Sequence, residues 1–229
     1  MKKNKEKNLR LLAIGLVIIL VASGITAFFI LIIRNEQPSP DAIRVACVGD
    51  SLTQSTEYPY DLRVMLGTAN YTVRNFGVGS TTVLRNTETP YMNTSAFQNA
   101  LEFQPNIVII MLGTNDAQPN LKGENASFVG DYVTLINTFQ ALPSKPKIWV
   151  VLPPPIFSNQ SGKIDPEYFK FTLIPFMQQA ANETNSPIIN VNSALASYSN
   201  YFADGVHPNR AAAKLIANEI YKAIISQNT

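Results

Sequence analysis

From residue 42 onward the chain alternates between short, nearly continuous apolar runs and longer amphipathic stretches. The runs Ile43–Val48, Thr72–Phe76, Ile107–Leu112, Lys147–Leu152 and Ile188–Val191 read as buried strands. The stretches between them predict helices at about Pro59–Leu66, Ser95–Phe103, Ser127–Leu142 and Glu167–Glu183, and a last helix at about Asn209–Ile225 closes the chain. Uninterrupted apolar strands separated by helices belong to a parallel sheet covered on both faces. Right-handed crossovers then give an α/β fold, a three-layer αβα sandwich around a mostly parallel five-stranded sheet. Ligands of such sheets bind at the carboxyl ends of the strands. Pro153-Pro154-Pro155 follows the fourth strand and is expected to form a stiff turn at that rim.

A different pattern precedes this domain. Residues 1–10 hold five positive charges, and Leu11–Ile33 is 23 residues without a charge. A helix of that length spans about 35 Å, enough for a bilayer core of about 30 Å. A cleavable signal peptide has a shorter apolar core, so length favours an uncleaved anchor. The basic residues place the N-terminus in the cytoplasm and the domain outside. The expected organisation is a cytoplasmic basic segment over 1–10, a transmembrane helix over 11–33, a linker over 34–41 and a folded domain over 42–229. Localisation follows: a single-pass protein of the cell membrane, with its domain extracytoplasmic.

Charge sharpens this division. Residues 1–34 carry six Lys or Arg and one Glu, whereas from Asp41 onward there are 12 basic and 14 acidic residues, a net of −2. The folded part is no polyanion binder, and nucleic acid is not an expected partner. The single cysteine, Cys47, excludes an intramolecular disulfide and reads as a small buried hydrophobe in the first strand. Sequons at Asn70, Asn93, Asn125, Asn159 and Asn182 fit an external domain, although chance in an Asn-rich chain accounts for them equally well.

Four short stretches fall on the rim. Gly49-Asp50-Ser51-Leu52-Thr53 ends the first strand, where a turn can expose a serine Oγ and leave backbone N–H groups free for an oxyanion. Asn75-Phe76-Gly77-Val78-Gly79-Ser80 follows the second strand, and Gly113-Thr114-Asn115-Asp116 the third. Asp204-Gly205-Val206-His207-Pro208-Asn209 precedes the last helix and holds the only histidine. A tight loop can fold the Asp204 carboxylate onto His207 Nδ1, which leaves Nε2 to take a proton from Ser51. The Asn115 amide can serve as an oxyanion donor beside the Ser51 N–H and one from the Gly79 loop. Gly77-x-Gly79 lacks the third glycine of a dinucleotide loop.

Together these four blocks resemble the GDSL esterases/lipases, also called SGNH hydrolases, over about residues 43–226. The resemblance implies a flavodoxin-like sandwich and a serine esterase that uses neither metal nor other cofactor. It implies Ser51 as nucleophile, His207 as base and Asp204 as the residue that orients the base. Oxyanion donors would come from Ser51, Asn115 and either Gly79 or Ser80. Many family members carry a glycine where this chain has Ser80, which leaves that last choice open. Asp50, Thr114 and Val206, each next to a motif residue, are expected on the substrate-binding wall, and Tyr58-Pro59 on one lip of the cleft.

The expected activity is hydrolysis of a carboxylic ester, with the membrane engaged through the N-terminal helix. The family handles lipids, acetylated sugars and thioesters. A polar rim (Thr53, Gln54, Ser80, Thr81, Asn115, Gln118) leans towards a short acyl group, such as acetyl on a carbohydrate, rather than a lipid. Acyl transfer to a surface glycan, a lipase or lysophospholipase activity, and a non-catalytic binding module are the alternatives.

Overall fold

In the computed structural model the described residues are 39, 41–158 and 162–226. The basic segment 1–10, the expected transmembrane helix 11–33, the linker apart from Ser39 and Asp41, and the sequon at Asn159 lie outside them. Among the described residues no helix is long and apolar enough to cross a membrane.

Five strands form one parallel sheet: β1 (Ile43–Gly49), β2 (Tyr71–Gly77), β3 (Ile107–Met111), β4 (Lys147–Leu152) and β5 (Ile188–Asn190). Their spatial order is β2-β1-β3-β4-β5, the flavodoxin-like order with its switch point beside β1. Cys47 of β1 therefore pairs with Asn75 on one side and Ile109 on the other.

Alternate residues of the central strands feed two cores, as a pleated sheet requires. Ala46, Val48, Val108 and Ile110 face one layer. It is built from α3 (Ser95–Glu102), α4 (Asn125–Gln140) and α6 (Ile174–Glu183), through Phe97, Tyr132 and Met177 among others. Val45, Cys47, Ile109 and Met111 face the opposite layer. That layer contains α2 (Tyr58–Leu66), α7 (Val191–Ala194) and α8 (Arg210–Ile225). The Arg210 guanidinium bridges Asp61 and Glu57 and joins α8 to α2. Burial pushes the Cys47 thiol up to about 12, so it behaves as a core side chain.

The helix expected over Glu167–Glu183 is interrupted. It comprises α5 (Pro166–Tyr168), a π-helical turn over Phe169–Leu173, and then α6. Pro175 in the first turn of α6 has no N–H to donate backwards, and the wider turn absorbs the missing bond. The fifth strand stops at Asn190, because its side chain caps α7 by accepting from the Ser193 N–H at 2.8 Å. The remaining short helix, α1 (Ser51–Gln54), stands directly on the end of β1.

Ile109 sits fully buried on the middle strand. Ile109→Ala should lower stability by about 2–5 kcal/mol. Denaturant unfolding followed by the fluorescence of Trp149, the only tryptophan, measures it, and a loss well under 1 kcal/mol would contradict this packing.

Candidate active site

The turn that carries Ser51 is held from several directions. Asp50 caps α1 by accepting the Leu52 N–H at 2.9 Å. Asn75 donates to the Thr53 carbonyl at 2.8 Å, while its own oxygen accepts the Gly77 N–H at 2.9 Å. The Thr53 hydroxyl meets the Tyr58 hydroxyl at 3.0 Å inside the core. Helix α1 lies so close to the strands that a Cβ on Gly49 would overlap the Met111 carbonyl and the Thr53 side chain. Ser51 thus sits half-buried at the carboxyl end of the sheet.

The histidine loop closes onto it. Gly205 adopts φ +82°, and a Cβ there would collide with Ser158. Its N–H donates to the Phe202 carbonyl at 3.0 Å, and its carbonyl accepts the Phe157 N–H at 2.8 Å. The fold-back lets Asp204 Oδ1 accept the N–H groups of Val206 (2.9 Å) and His207 (2.7 Å). Oδ2 lies 2.6 Å from His207 Nδ1, and Nε2 lies 2.9 Å from Ser51 Oγ. Asn209 then caps α8, accepting from Ala211 and Ala212.

Electrostatics fix the roles along this line. Partial desolvation is the largest influence on Asp204 and raises its pKa. The backbone bond from His207, the ring bond, the Val206 N–H and the His207 charge together outweigh it and bring the carboxyl down to about 2. An ionised Asp204 selects the tautomer with the proton on Nδ1, so Nε2 accepts from the Ser51 hydroxyl.

The second and third motif blocks meet across the cleft. Asn115 begins a 3-10 turn after β3, and its amide donates to the Thr81 carbonyl at 2.9 Å, which leaves its second N–H available. The Gly79 N–H is taken by Gln54 Oε1 at 2.8 Å. Ser80 sits at φ +64°, a conformation that favours glycine, and lines the cleft with its N–H bonded to no protein group among the described residues. Geometry therefore favours Ser80 over Gly79 as an anion donor. The cleft has a volume of about 820 Å³, and Ser51, Ser80, Asn115, Val206 and His207 are on its wall.

Two expectations need revision, and the open choice between Gly79 and Ser80 narrows. Thr114 and Val206 are on the wall, but Asp50 is wholly buried beneath it, because its carboxylate is used as the cap of α1. Tyr58 and Pro59 form no lip, being buried with the Tyr58 hydroxyl turned inward to Thr53. Gly79 is close to Ser51 but has a side-chain acceptor on its N–H. Asp116 was absent from the expected site and is central to it. Its two oxygens accept the N–H groups of Val83 (3.0 Å) and Leu84 (2.9 Å), which pins the loop after Ser80 to the turn of Asn115.

Asp116 and Asp50 are both buried. Desolvation, opposed by the Leu84 and Val83 N–H groups and reinforced by the Asp50 charge, lifts Asp116 to about 7. Desolvation, opposed first by the Leu52 N–H, lifts Asp50 to about 6. Thr114 lies near enough to Asp50 to oppose that rise, yet neither its hydroxyl nor Asp50 Oδ2 completes a hydrogen bond among the described residues. Among the described residues no group of three or more His, Cys, Asp or Glu could hold a metal ion.

Residues 47–215 match the model of the GDSL-like lipase/acylhydrolase family. An acetylxylan esterase of Xylanibacter ruminicola is 33% identical over 213 residues, covering 82% of this chain but 44% of that protein, so the chain spans less than half the length of this relative. A solved structure from Agrobacterium tumefaciens, provisionally named an arylesterase, superposes with a TM-score of 0.64 at 26% identity, covering 80% of this chain and 99% of that one. The inhibitor-bound aryl esterase of M. smegmatis shares the fold with a TM-score of 0.68 at 20% identity, over 81% and 99% of the two chains. The chain belongs to the GDSL-like lipase/acylhydrolase family.

Two measurements follow from the strained turn and the buried acid. Ser80→Gly should stabilise the protein by roughly 0.5 kcal/mol, since relief of about 1 kcal/mol of left-handed strain exceeds the added chain entropy; a lower denaturation midpoint would contradict it. Asp116 has a higher pKa folded (about 7) than unfolded (about 4), so between those values the native state binds more protons and stability falls as pH rises. Asp116→Asn should flatten the decline of Tm between pH 4 and 7, and an unchanged slope would count against it.

Proposed function

We propose that this family member is a serine esterase that hydrolyses a short-chain carboxylic ester. The observation that carries the reading is the unbroken line from Asp204 Oδ2 through both nitrogens of His207 to Ser51 Oγ, at 2.6 and 2.9 Å. Ser51 Oγ attacks the carbonyl carbon as its proton passes to His207 Nε2. The carbonyl oxygen becomes an oxyanion that receives the N–H groups of Ser51 and Ser80 and the free amide N–H of Asn115. Collapse expels the alcohol, which takes the proton from His207 and leaves an acyl-serine. Water, deprotonated by His207, attacks the acyl carbon, and the second collapse returns the proton to Ser51 and releases the acid. No step calls for a metal.

The cleft supports a small acyl group and a polar alcohol. Ile164 and Val206 are its apolar wall, whereas Ser80, Thr114, Asn115 and Gln118 are polar. An acetyl ester on a carbohydrate fits this division, and the acetylxylan esterase among the relatives points the same way. We further propose that the domain works outside the cytoplasm on a membrane anchor, a reading supported by the basic N-terminus and the 23 uncharged residues behind it.

A fluorophosphonate probe on the detergent-solubilised full chain tests the mechanism. Wild type should be labelled; Ser51→Ala and His207→Ala should not. Turnover of aryl acetates should fall by roughly 10⁴-fold or more in Ser51→Ala. Asn115→Ala should lower kcat by roughly 10²-fold, with a smaller effect on KM. Equal turnover by wild type and Ser51→Ala would rule the mechanism out.

A further inference from the structure

A second cavity, of about 410 Å³, adjoins the catalytic cleft. The two share Glu88, Thr89 and Gln118 as common wall, so the second extends the first away from Ser51. We infer that this cavity is a binding subsite for a neutral polyhydroxyl chain, holding sugar units next to the one that bears the ester. The inference rests on the esterase reading above.

The wall chemistry selects the ligand class. Thr87, Thr89, Asn86, Gln118 and Asn120 offer hydroxyl and amide groups, which both donate and accept hydrogen bonds. None of the lining residues is basic, so an anionic headgroup finds no counter-charge there. Leu121 is its one large apolar side chain, too little surface for an acyl tail. The side-chain amides of Asn86, Gln118 and Asn120 make no hydrogen bond to the protein among the described residues, and Asn86 and Asn120 are exposed. These amides are open to the ring hydroxyls of a sugar. With no aromatic platform in the lining, affinity per unit stays low.

The wall is also rigid. The Thr82 hydroxyl lies 2.6 Å from the Thr87 hydroxyl, and its backbone pairs with Thr89 and Tyr91 on the far side of the loop. The Arg85 N–H donates to Asp131. A ligand therefore meets a formed surface and needs little loop ordering. Thr89 has a second contact of consequence: its hydroxyl donates to the Ser80 carbonyl at 2.8 Å. A sugar seated against Thr89 thus bears on the residue whose N–H faces the oxyanion. Subsite occupancy should raise kcat as well as lower KM.

The test compares acetylated xylose, acetylated xylotetraose and 4-nitrophenyl acetate, the last too small to reach the second cavity. For the full-length wild type, kcat/KM should rise about tenfold from the monosaccharide to the tetrasaccharide, the order of one or two net hydrogen bonds. In the double variant Asn86→Ala/Asn120→Ala the tetrasaccharide-to-aryl ratio should drop by a similar factor. Equal kcat/KM for the two sugars, or a rise the double variant leaves intact, would overturn the subsite. Deacetylated xylotetraose titrated against the same proteins by NMR separates the two claims. Shifts of the Asn86 and Asn120 amides without turnover of any ester would sustain the subsite and sink the esterase reading. Neither shifts nor turnover would sink both.

Discussion

Asp116 accepts two backbone N–H groups from a loop more than thirty residues earlier in the chain, and the arrangement of the site depends on that bidentate contact. The loop after β2 and the turn after β3 leave neighbouring parts of the sheet edge with no ladder to align them. A buried carboxylate that satisfies two N–H groups at once fixes both their distance and their rotation. Ser80 and Asn115, one from each segment, then face the same volume beside Ser51. Asp50 performs a comparable task on the turn of Ser51, by capping it from beneath.

Such braces are costly. Two carboxyl groups lie wholly buried under the cleft, where desolvation raises both and the Asp50 charge adds to the rise at Asp116, and Asp50 Oδ2 and the Thr114 hydroxyl have no hydrogen-bond partner among the described residues. Ser80 adds a left-handed residue without the freedom of glycine. Features of this kind also occur elsewhere: the buried Tyr132 hydroxyl in one core has no hydrogen-bond partner among the described residues, and Gln104, Lys145 and Asn185 are left-handed too. At the cleft they do one further thing: the strained Ser80 and the desolvated carboxyl groups hold backbone dipoles in place.

Much of this was legible in the sequence, and the part that was not shares one physical reason. Nearly continuous apolar runs announce β1, β3 and β4, because a strand covered on both faces has no polar side to show, whereas the edge strand β2 exposes Arg74 and Asn75. The Asp204–His207 spacing is local, and Gly205 between them marks the fold-back, so the pair could be read before any geometry was known. Partners distant in the chain leave no such mark. Nothing near Asp116 points to Val83 and Leu84, and nothing near Gly79 points to Gln54. Tyr58 looked like a lip by its nearness to Ser51 in sequence, but its hydroxyl turns inward to Thr53. The π-helical turn before Pro175 was invisible because the apolar period continues across it.

Ser51 and His207 lie 156 residues apart, one at the end of the first strand and the other just before the last helix. Their hydrogen bond can form only after every intervening β–α unit has been laid down and α8 has docked against α2. A growing chain on the ribosome therefore presents Ser51 early, but the serine has no histidine beside it until the His207 loop and α8 have emerged. Fraying of the C-terminal helix should likewise quench the serine before the sheet melts. The bond between Ser51 and His207 thus doubles as a checkpoint on topology: it exists only where the β–α units between them have assembled.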